Sequence, residues 1–141
     1  MKKRGLRFAY ELLAAFVLIS VLAGGVLSTG PWAGVAERIE VELSGGLKLY
    51  EAGKLEAAEE KVVDAYFVVF EGEKANMEIA VRQSLSLKRA VELEKGFSEI
   101  RKAMHGNAPV QEVRAKTSSL LDAIRRAAAE LDAKGVGLSP N

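Results

Sequence analysis

Asp64 and Glu71, two carboxylates seven residues apart, sit inside the otherwise aromatic and aliphatic run Val63-Asp64-Ala65-Tyr66-Phe67-Val68-Val69-Phe70-Glu71. On an α-helix that spacing is about two turns, so both would project from nearly the same face. Glu60 lies four residues before Asp64 on that face, and Val63, Phe67 and Phe70 supply adjoining apolar surface. Glu56, Glu59, Glu73 and Glu78 crowd the same region. Glu56 and Glu59, three residues apart, could chelate together. Hard cations such as ferric iron or calcium prefer oxygen ligands of this kind. The competing reading is a solvated helix face on which Lys54, Lys61 and Lys74 pair with the acids, an arrangement worth little to stability.

Other chemistries find less support. His105 is the single histidine, and the residue three before it is Lys102, so the paired Glu-x-x-His elements of a di-iron bundle are missing. Beside Gly106, His105 reads as a residue at a helix end, where an imidazole suits the last carbonyls or solvent. Met77 and Met104 read as core fillers, and no haem is expected. The absence of cysteine removes disulfides, thiolate metal sites and cysteine nucleophiles together. Ser84, Ser86, Ser118 and Ser119 fall on expected helices without a neighbouring base, and no glycine-rich loop follows a strand, so the chain reads as a non-enzyme. Glu37 to Glu78 carries 11 acids and five bases, whereas Ile79 to Asn141 carries 11 bases and seven acids. That dipolar pattern has no basic stripe with interleaved aromatics, which argues against a nucleic-acid partner.

The elements that must position these groups follow from length and hydrophobic period. A chain of 141 residues holds one compact domain plus one tail or membrane segment. Lys2, Lys3, Arg4 and Arg7 precede an apolar stretch from Leu12 to Leu27, broken only by Ser20 and the Gly24-Gly25 pair. Its length falls between a signal-peptide core and a full membrane span. The basic cluster should stay cytoplasmic, which sends everything after Thr29 to the extracytoplasmic, periplasmic side of the inner membrane. Gly34-Val35-Ala36 offers a small-x-small cleavage pattern, but far beyond the apolar core, and Trp32 reads as an interfacial anchor. A retained signal anchor is therefore favoured over a cleaved signal peptide.

Beyond that segment the pattern is helical. Helices are expected over Ala33–Ala52 (with Gly45-Gly46 weakening its middle), Leu55–Glu71, Met77–Gln83, Ser86–His105, and from Pro109 or Val110 to Ala133. The expected architecture is all-α: a signal or anchor segment (1–30), an antiparallel four-helix-bundle-like domain (33–134) and a frayed tail (135–141).

The run Leu49-Tyr50-Glu51-Ala52-Gly53-Lys54, followed by Ala57, Ala58, Val62, Asp64-Ala65-Tyr66-Phe67 and Phe70-Glu71, resembles the extracytoplasmic helical domain that precedes the membrane part in many bacterial Ftr-type high-affinity iron permeases. That domain has a Tyr-x-x-Gly turn, then an Asp-Ala-Tyr-Phe helix ending in Phe-Glu. Its later elements are matched by Met77-Glu78-Ile79-Ala80, by Glu94-Lys95-Gly96-Phe97 and by Arg101-Lys102-Ala103-Met104, so the likeness covers roughly residues 47–131. The permease signature, an Arg-Glu-x-x-Glu pair of sites within membrane helices, is absent, so this chain cannot conduct iron by itself.

The resemblance implies a free-standing or split version of the accessory domain, held at the outer face of the membrane, binding iron or docking on a separate permease or its partner. By that analogy Asp64, Glu71 and Glu78 become the candidate metal ligands, with Tyr66, Phe67 and Phe70 positioning them. The alternative expectation is a structural helical-bundle subunit of an envelope complex with no metal role. A ligand-sensing bundle would need a partner to carry its output.

Overall fold

The computed structural model describes residues 30–72 and 75–138. Regular structure among them is helical throughout: α1 (Pro31–Glu51), α2 (Leu55–Asp64) continued by a π-helical stretch (Ala65–Phe70), α3 (Met77–Ser84), α4 (Leu87–His105) and α5 (Val110–Ala133). The expected anchor or signal segment lies outside the described residues, and no described helix is long and apolar enough to cross a membrane.

Proline in the first turn starts α1, and Trp32, Val35, Ala36, Ile39, Leu43 and Gly46 form its buried stripe at helical spacing. The Gly45-Gly46 pair, expected to weaken this helix, does not interrupt it. A Cβ at Gly46 would lie 3.1 Å from the Ala58 carbonyl oxygen, so glycine lets α1 and α2 approach closely. Lys61 Nζ reaches Glu42 Oε2 at 2.8 Å across the same contact. Gly53, at φ +74°, turns the chain between them, and Lys54 N–H donates to the Leu49 carbonyl at 2.9 Å.

Helix α2 departs from the regular helix expected to Glu71. From Ala65 the turns widen, and Glu71 N–H donates to the Tyr66 carbonyl five residues back at 2.8 Å. The run of bulky side chains gives the physical reason: a wider turn buries Ala65, Val69 and Phe70 together and leaves Phe67 and Val68 outside. Seven residues no longer make two turns, so Asp64 and Glu71 lose the common face that the sequence implied.

Side-chain caps open the next two helices. Asn76 accepts from Ile79 N–H before α3, and Ser86 accepts from Arg89 N–H before α4, both at 3.2 Å. After the expected Gly106-Asn107-Ala108-Pro109 loop, α5 buries Val113, Leu120, Leu121, Ile124 and Leu131. Tyr50 Oη donates to the Ala108 carbonyl at 2.6 Å, which ties that loop to the end of α1.

Helices α1, α2, α4 and α5 run antiparallel to their neighbours around a core in which Ile39, Phe70, Met77, Ile100, Met104 and Ile124 are fully buried. Short α3 packs against α4 and α5 at the end where α1 begins. At that end Gly30, at the N-cap position, makes no side-chain cap; Asp132 supplies one, accepting from Trp32 N–H at 3.0 Å and Ala33 N–H at 3.1 Å. Trp32, expected at a membrane surface, is instead wholly buried and donates Nε1–H to the Val136 carbonyl at 2.6 Å. Trp32 thereby holds the start of the expected frayed tail against the core, while residues 139–141 lie outside the described residues.

Candidate functional site

Two features share the flank of the bundle formed by α2, its π-helical extension and α4. The first is an acidic corner. Tyr66 Oη donates to Glu71 Oε1 at 2.5 Å, within the turn that the π-helical geometry creates. Glu78 comes from α3 and is 92% buried, its relative exposure being 8%. Glu94 comes from the second turn of α4. Arg82, one turn after Glu78, donates Nε–H to Glu78 Oε1 at 2.6 Å and Nη2–H to Glu94 Oε1 at 3.2 Å.

A single guanidinium does not neutralise this corner. Burial raises the Glu94 pKa above the ordinary carboxylate value, and the charges of Glu78 and Glu71 add to that despite the opposing pull of Arg82. Tyr66 is pushed up as well, first by burial, then by its bond to Glu71 and by the fields of Glu71, Glu94 and Glu78. Bonding to Glu78 foremost raises the Arg82 pKa. Among the described residues, no group of three or more His, Cys, Asp or Glu side chains is arranged to hold a metal ion as it stands. Arg82 occupies the position between two of the acids that a cation would need.

The second feature is a groove of about 890 Å³ along α2 and α4, with Val62, Val63, Tyr66, Phe67, Val91 and Phe97 among its walls. The Tyr66 ring belongs to both features. It meets Phe67 edge-on at a centroid distance of 4.8 Å and stands 5.3 Å from Phe97, which in turn lies 5.3 Å from buried Phe70. Gly96 lets α4 lie close against α5, since a Cβ there would come 2.7 Å from Leu120 Cδ1. At the far end of the groove Glu59 faces Arg101 Nε at 3.5 Å and His105 Nδ1 at 3.1 Å.

Of the three acids singled out in the sequence, the fold brings Glu71 and Glu78 to the same corner and sets Asp64 apart. Asp64 acts instead on Lys61, together with Glu42 and Glu60. Of the positioning aromatics, Tyr66 touches Glu71 directly, Phe70 supports its ring from the core at 5.9 Å, and Phe67 is 59% exposed on the groove. Glu56 and Glu59 do not act as a chelating pair, because Glu59 turns to α4. His105 is solvent-facing at the end of its helix, and Met77 and Met104 are buried in the core.

Glu94 and Arg82 were missed as site residues. The Glu78–Arg82 spacing of four residues was a readable signal; that α4 would deliver Glu94 to the same place was not, because it depends on how α3 crosses. No family model, curated protein or solved structure matches this chain.

Proposed function

We propose that this chain is a membrane-tethered, extracytoplasmic accessory domain of an iron-uptake system, which captures iron at the Glu71–Glu78–Glu94 corner and hands it to a separate permease. The observation that carries the reading is the surplus negative charge at that corner, where three carboxylates from three elements surround Tyr66 against one arginine. Carboxylate and phenol oxygens are ligands a hard cation accepts. Arg82 is 46% exposed, so it can swing into water when a cation arrives, which suits capture and release better than a resident metal. The corner also lies at the end of the bundle where α1 begins, the end that a preceding anchor would hold toward the membrane. The resemblance to the Ftr-type domain names the cation as iron and the partner as a permease.

The paired contacts of Arg82 favour a second reading, in which the corner is an ion-paired brace of a structural subunit. Titration of ferrous and ferric iron into the purified full-length chain separates the two. Wild type is expected to bind saturably, the Glu71→Gln, Glu78→Gln, Glu94→Gln triple variant to lose at least about tenfold in affinity while keeping its helical circular dichroism, and Asp64→Asn to bind like wild type. Absence of binding by wild type in either oxidation state would leave the structural subunit.

A further inference from the structure

The α2/α4 groove runs from the acidic corner to a basic end that the iron reading does not use, so its two ends carry opposite charge. Phe67 and Val91 expose 59% and 48% of their surface on its walls. At one end Glu94 stands before Glu71 and Glu78, with Arg82 between them. At the other end Arg101, Lys102 and His105 face the single acid Glu59. Ser98 sits midway on α4, a small, exposed side chain on the groove floor, four residues from both Glu94 and Lys102. The lining residues of α4 from Val91 to His105 extend about 21 Å at 1.5 Å per residue.

We propose that a second copy of this chain covers the groove, related by a two-fold axis near Ser98. A two-fold contact is self-complementary, because a patch meets the same patch turned end for end. Turning this groove end for end brings the acidic end of each copy onto the basic end of the other and offers each exposed Phe67 to the opposite hollow. The cations nearest Glu94 do not spoil the match. Arg82 is shared between Glu78 and Glu94, so Glu71, Glu78 and Glu94 outnumber it, and Lys95 is held by Glu99 at 3.4 Å. At the other end Arg101 is held by Glu59, which leaves Lys102 as the cation available to the acidic end. Its acidic end is the corner proposed to capture iron, so the test is made without iron, and its failure is read separately from a failure of iron binding.

The chain contains no cysteine, so a single introduced one reports proximity without background. The full-length chain, in detergent, is oxidised after the substitution Ser98→Cys, with Ser119→Cys on the exposed side of α5 as the comparison. The Ser98→Cys chain is expected to form a disulfide-linked dimer in high yield and the Ser119→Cys chain is not. In the Ser98→Cys background, Lys102→Glu or Glu94→Lys alone is expected to reduce cross-linking about tenfold through like-charge contact. Mixing those two variants is expected to restore it, since each then presents the charge the other needs. Lys102 is exposed, so its variant keeps the test sound even where Glu94→Lys disturbs folding. Equal cross-linking at both positions, indifference to charge reversal, or no cross-linking at Ser98→Cys would each overturn the proposal.

Discussion

Trp32→Ala is expected to cost about 3–5 kcal/mol of stability, the range for truncating a large buried aromatic. The indole is wholly buried at the junction of α1 with the end of α5, and its N–H is the donor that Val136 accepts. Its backbone N–H is one of the two capped by Asp132, so the cavity would open beside the cap of α1. Thermal unfolding followed by circular dichroism measures the loss. Trp32→Phe keeps most of the ring volume and removes one hydrogen bond, so about 1 kcal/mol is expected. Unchanged stability in the alanine variant would return Trp32 to the surface role that its place after an apolar run suggested.

Gly72→Ala is the second large effect. A Cβ at Gly72 would fall 2.1 Å from the Val68 carbonyl oxygen and 2.9 Å from its carbon, both backbone atoms of the π-helical stretch, with no flexible side chain to yield. The chain must shift to admit it, at a cost of about 1–3 kcal/mol. Because Glu71 is the preceding residue, that shift should break the Tyr66–Glu71 bond. Alkaline absorbance titration reads this directly among the three tyrosines. In the wild type Tyr66 ionises later than an ordinary phenol. In the variant its pKa is expected to move down as the Glu71 contribution is lost, while the effect of burial remains. A phenol whose folded pKa is raised contributes fully below the unfolded value, and the contribution fades as pH climbs toward the folded value, so the wild type is expected to lose stability above about pH 10 more steeply than Gly72→Ala.

Helix number, helix order and most of the core were legible because the apolar residues of α4 and α5 recur at helical spacing, and because Gly53, Asn76, Ser86 and the Gly106–Pro109 loop are ordinary stop and start signals. Three things were not legible, each for a tertiary reason. Gly45-Gly46 looked like weakness but serves a close helix crossing. The π-helical turn arises from packing Ala65, Val69 and Phe70 into one core, which no period in the local sequence announces, and it separates Asp64 from Glu71. Glu94 reaches Arg82 only because α3 lies across the end of α4. The acidic character of the region could be read from composition; which acids meet could not.

The π-helical turn and the placement of α3 beside α4 move the centre of the proposed chemistry to Glu71, Glu78 and Glu94, with Arg82 as the group a cation must displace. The surplus of acid over base also explains why the corner should tolerate losing that arginine only in the presence of another cation. Replacing it reverses the usual expectation for a mutated site, because binding should improve while the unliganded domain becomes less stable.

The most direct measurement is the iron affinity of the full-length Arg82→Gln chain beside wild type, with thermal stability recorded with and without iron. If the corner captures iron in competition with Arg82, the variant binds at least about tenfold more tightly, is less stable than wild type without iron, and regains stability as iron is added. Equal or weaker binding, with stability that iron does not restore, would contradict iron capture at this corner and identify Arg82 as part of a structural brace.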